Sequence, residues 1–66
     1  MDPVACIELA EAHIEENNPD DSAWALQDYR EWRRKGGFTS ADLDERARIV
    51  NKEIQATGHP GVKLGF

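Results

Sequence analysis

An all-α domain of three short helices follows from three features of this 66-residue chain. Two helix-start signals carry a capping residue followed by proline, at Asp2-Pro3 and Asn18-Pro19. Apolar residues recur at spacings of three and four between and beyond them. Glycines at Gly36-Gly37 and at Gly58 supply stops. These signals predict helices over about 3–16, 19–35 and 40–57, forming one domain over 1–57, with an extended tail over 58–66.

In the first helix Asp2 caps free backbone N–H groups, and the fixed φ of Pro3 suits the first helical position. At about 100° per residue, Cys6, Ile7, Ala10, His13 and Ile14 share one side, with Leu9 at its edge. Glu8, Glu11 and Glu15 form a solvated acidic ridge on the other.

The second helix opens with Asn18 as cap, Pro19 at the first position and Asp21 at the third; Asp20 is the alternative cap. Ala25, Leu26, Tyr29 and Trp32 cluster on its inner face with the stem of Arg33. Trp24 falls about 140° from Tyr29 on the same wheel and therefore lies outside that core ridge. The cations Arg33-Arg34-Lys35 compensate the dipole at the helix end, which Gly36-Gly37 terminates.

For the third helix, Phe38-Thr39-Ser40-Ala41-Asp42-Leu43 reads as a capping box, with Thr39 as cap, Asp42 as its reciprocal partner and Phe38 stapled against Leu43. Leu43, Ala47, Val50 and Ile54 form the inner stripe, bordered by Asn51, which needs a partner if covered. Ile49 and Ala56 lie on the opposite face among Glu45, Lys52 and Glu53. In the tail, Val62, Leu64 and Phe66 alternate as on an extended segment with one apolar face, which either folds back or binds something.

Composition narrows the function classes. A 39% hydrophobic and 32% charged chain is ordinary for a soluble globular domain, and no apolar run approaches the roughly 18 residues of a membrane span. The acidic first fifteen residues lack the pattern of a signal peptide, so a cytoplasmic location is expected. The net charge of −5 argues against general affinity for nucleic acid. The one basic cluster, Arg30, Arg33, Arg34 and Lys35, supports a weak nucleic-acid-binding module as an alternative, but Asp42, Asp44 and Glu45 at the start of the next helix would repel phosphates.

Cys6 is the single cysteine, and its pairing with His13 on one helix face lacks a third ligand, so neither a disulfide nor a metal site is expected. His59, in a Gly-Pro turn, reads as a polar loop residue. No phosphate loop, zinc motif, calcium loop or nucleophile elbow occurs, and neither catalysis nor a cofactor is expected.

The string Leu26-x-x-Tyr29-x-x-Trp32-Arg33-Arg34 resembles one carried by small helical proteins of phages and prophages. The resemblance implies an accessory protein that binds a host or phage macromolecule, such as a modulator or inhibitor of a larger complex. It brings no catalytic residues with it.

The expected function is therefore protein-protein contact. Trp24 is its leading anchor, because large aromatics outside a core are typical of interface hot spots. Asp28 and Glu31 beside it, Ile49 on the third helix, and Leu64 and Phe66 in the tail are the other expected contacts. A homodimer through the Ile49 face or the tail is the structural alternative.

Overall fold

The computed structural model describes residues Met1–Phe66. Three helices make up the fold, α1 (Pro3–Glu15), α2 (Pro19–Lys35) and α3 (Ala41–Ala56), without strands. None is long and apolar enough to cross a membrane.

The first two starts are as the sequence predicts. Asp2 Oδ1 accepts from the Ala5 amide at 2.8 Å. Asn18 Oδ1 accepts from the Asp21 amide at 3.4 Å, while its Nδ2 donates to Asp21 Oδ2 at 2.7 Å. The start of α3 is shifted by one residue. Ser40, not Thr39, is the cap, its Oγ accepting from the Leu43 amide at 3.2 Å. Asp42 therefore cannot close the predicted box, since Leu43 occupies the third position. Phe38 stands two residues before the cap, and its ring meets Tyr29 edge-on at 6.2 Å.

Eleven residues form the core: Cys6, Ile7 and Ala10 from α1, Ala23, Ala25, Leu26 and Tyr29 from α2, and Leu43, Ala47, Val50 and Ile54 from α3. Small side chains let α1 and α2 approach closely. Ser22, fully buried, donates from Oγ to the Ala10 carbonyl at 2.7 Å, so a hydroxyl on the inner face of α2 is satisfied across the interface. Trp32 departs from the predicted core ridge. It lies about 60° round the wheel from Tyr29, at the rim where α1 has reached its first turn, and remains 39% exposed. Its Nε1 donates to the Met1 carbonyl at 2.7 Å.

The last nine residues carry no regular secondary structure, and Val62, Leu64 and Phe66 pack against the core. Asn51 finds its partner here: Nδ2 donates to the Val62 carbonyl and Oδ1 accepts from the Val62 amide, both at 2.8 Å. Gly61 allows that approach, because a Cβ there would stand 2.9 Å from Asn51 Oδ1 and closer still to the Gln55 side chain. The segment runs back along α3 until Phe66 meets Tyr29 edge-on at 5.8 Å, with the Arg33 guanidinium 4.6 Å and the Arg48 guanidinium 5.6 Å from its ring centroid.

Two carboxylates, Asp44 and Glu11, also tie the helices together. Asp44 is buried rather than facing solvent at the opening of α3. It accepts from Tyr29 Oη at 2.6 Å and pairs with Arg33 at 3.0 Å. Arg33 also donates to the Phe38 carbonyl at 2.9 Å, leaving only its Nε buried without a partner. Glu11, predicted on a solvated ridge, receives a two-pronged contact from Arg46 at 2.6 and 3.0 Å. That guanidinium holds the Glu11 carboxyl below the usual glutamate value.

Candidate protein-binding surface

Trp24 faces outward because Ala25, Leu26 and Tyr29 turn inward on the same helix. It is 70% exposed, the most exposed large hydrophobic side chain in the chain. Its indole borders one of two grooves that α2 helps to line.

The first groove, about 530 Å³, lies between the Asp20-to-Arg30 stretch of α2 and the start of the tail. Trp24 and Gln27 form its rim, Ala23, Gly61 and Val62 its small and apolar lining, and Arg30 and Lys63 its cations. The Asn51 clasp on Val62 positions the tail wall. His59 fastens the far end. Its Nε2 lies 2.6 Å from Asp20 Oδ1, and its Nδ1 donates to the Pro60 carbonyl at 2.8 Å. Both ring nitrogens are thereby engaged, and the tail is joined to the first turn of α2.

The second groove, about 470 Å³, lies on the other shoulder of α2 and is lined by Met1, Cys6, Asp28, Glu31, Trp32, Lys35 and Gly36. Lys35 pairs with Glu31 at 3.1 Å and lowers its carboxyl from the ordinary value. Cys6 forms part of the floor. Burial, then the charge of Asp28, pushes its thiol up, so the reactive thiolate is disfavoured and the residue serves packing.

The expected contact residues are therefore dispersed. Trp24 borders the first groove, whereas Asp28 and Glu31 line the second. Ile49 is half exposed on the outer face of α3 and lines neither. Leu64 and Phe66, expected to reach a partner, pack on this chain's own core. Arg30, expected only within a nucleic-acid-binding cluster, shares the Trp24 groove with Gln27, His59 and Lys63, and it is the fold-back of the tail that brings 59–63 against α2.

The basic cluster also divides. Arg33 is turned inward to Asp44 and Lys35 is paired with Glu31, which leaves Arg30 and Arg34 outside any ion pair. Of the other cations, Arg46 and Arg48 are paired with Glu11 and Glu45 at 2.6 and 3.7 Å, while Lys52 and Lys63 are not. No group of three or more His, Cys, Asp or Glu side chains is placed to hold a metal ion. No protein-family model, curated protein or solved structure matches this chain.

Proposed function

We propose that this chain is a non-catalytic binding module acting by protein-protein contact, with Trp24 and the groove beside it as the contact surface. The observation that carries this reading is the exposure of Trp24 on a helix whose other large apolar side chains, Leu26, Tyr29 and Trp32, are used in the fold. An indole in water forfeits a large apolar burial, and exposed tryptophans at the edge of a groove are the side chains from which binding energy is most often drawn.

The finer reading is a phage-type accessory protein, cytoplasmic, that modulates or inhibits a larger host complex by occupying one of its sites. The string on which that resemblance rests has a structural use here, since Leu26 and Tyr29 are fully buried and Arg33 pairs with Asp44. Support for contact with a partner therefore comes from Trp24 and not from that string. Self-association through Ile49 has less behind it. One half-exposed side chain among exposed Glu45, Lys52 and Glu53 falls well short of the roughly 800 Å² per partner of a standard interface.

A photo-crosslinking residue at Gln27, in the full chain expressed in its native cells, tests the proposal. A discrete protein adduct is expected, and Trp24→Ala should abolish it while the helical circular dichroism stays unchanged. An adduct of undiminished yield in the Trp24→Ala chain removes this surface from the contact.

A further inference from the structure

We infer that the groove beside Trp24 receives an acidic peptide segment, with carboxylates meeting Arg30 and Lys63 and an adjacent apolar side chain lying against the indole. The inference rests on the binding reading above and adds the chemistry of the partner.

Charge complementarity carries it. On a chain of net charge −5, half of the Lys and Arg residues are held in ion pairs, and two of those left over, Arg30 and Lys63, line one groove together. The single carboxylate in that lining, Asp20, is engaged by His59. A cationic, aromatic-rimmed groove is thus set into an otherwise acidic surface. An acidic partner is attracted at this groove, where two free cations stand together, and repelled by the acidic faces, which favours one register.

Size and lining agree. A volume of about 530 Å³ suits a few side chains and not a domain, and Ala23 and Gly61 let a peptide backbone come close. A nucleic acid fits less well. Affinity for a phosphate chain is built from many cation contacts along a track, whereas this groove offers two.

The test is titration of the isotope-labelled full chain, followed by amide and indole resonances, with three probes. They are a capped peptide alternating glutamate with leucine, its lysine-for-glutamate counterpart, and oligo-deoxythymidylate. The expected result is that the glutamate peptide alone shifts the Trp24 indole and the amides of Arg30 and Lys63. The double change Arg30→Glu, Lys63→Glu should weaken it by about tenfold or more, with unchanged circular dichroism because neither side chain is paired in the fold. Equal or larger shifts from the lysine peptide overturn the inference. So do groove shifts from the oligonucleotide in place of the glutamate peptide, or glutamate-peptide shifts confined to another face. If no probe moves the groove and the Gln27 adduct forms and survives the double charge reversal, contact through Trp24 stands and the acidic partner falls. Absence of the adduct together with silence from all probes overturns both.

Discussion

Tyr29 Oη donates to Asp44 Oδ1 at 2.6 Å inside the core, and the Arg33 guanidinium closes on the other carboxylate oxygen at 3.0 Å. One contact thereby joins the middle of α2 to the first turn of α3. A buried carboxylate is costly unless its lone pairs are used, and here a phenol and a cation use them. Burial first, and the Asp44 hydrogen bond second, hold the Tyr29 phenol far above its ordinary value.

Alkaline titration should therefore destabilise the fold through its only tyrosine. A phenol whose folded-state pKa is raised contributes stability that is complete below the unfolded value near 10.0 and is lost as pH rises through the folded value. The raised Cys6 thiol acts in the same direction from its ordinary value of 9.0. In a Cys6→Ala background, denaturant melts should show stability falling above about pH 10, with tyrosinate absorbance appearing only on unfolding. Tyr29→Phe should cost about 1–2 kcal/mol at neutral pH and remove the alkaline slope that remains. Early ionisation of the native tyrosine would contradict the buried contact.

Ser40→Ala should destabilise by about 1 kcal/mol, whereas Thr39→Ala should lie within about 0.5 kcal/mol of the parent chain. Urea unfolding of the two variants distinguishes the observed cap from the one the capping-box pattern suggests. Equal losses would mean that both hydroxyls share the role.

Glu11 and Arg46 meet across α1 and α3 with both side chains partly exposed, so solvent screening limits their worth. A double-mutant cycle with Glu11→Gln and Arg46→Ala should give a coupling of about 0.5–1 kcal/mol at pH 7. Because the Glu11 carboxyl is lowered by the guanidinium, the coupling is present above the ordinary value of 4.5 and is lost as pH falls through the folded value. A coupling that persists at the acid end would need another source.

Asn51→Ala removes both hydrogen bonds to Val62 and should release the tail. Expected consequences are faster amide exchange at Val62, a loss of about 1–2 kcal/mol, and a Trp24 indole resonance shifted toward that of a fully solvated indole. Gly61→Ala should give the same exchange phenotype by steric means, since its Cβ has no room beside Asn51 and Gln55. Retained protection at Val62 in both variants would show that the side chains of Leu64 and Phe66 hold the tail by themselves.

Local rules were sufficient for the helices and for the outward placement of Trp24. A cap and the amide it serves are three residues apart, and the inner ridge of a helix follows from the turn per residue, so Asp2, Asn18, Ala25, Leu26, Leu43 and Val50 could be placed from short windows of sequence. The one-residue shift to Ser40 follows from adjacent Thr39 and Ser40 offering chemically equivalent caps, between which a local pattern does not discriminate. Trp32 was misplaced for a related reason: a wheel shows which side a residue faces, but not how far along the helix the neighbour reaches.

Charged and amide side chains whose partners lie far away in the chain were beyond such rules. Asp44 is the same residue type as the solvated Asp42 until Tyr29 and Arg33 are brought to it. Glu11 belongs to an acidic ridge until Arg46, thirty-five positions on, reaches across. The sequence by itself determined three amphipathic helices, their bounds to within about a residue, and a tryptophan left outside their core. Only the tertiary structure decided which acids are buried, that the tail lies back through Asn51, and that Trp24 borders a cationic groove, since each depends on where a distant segment comes to rest.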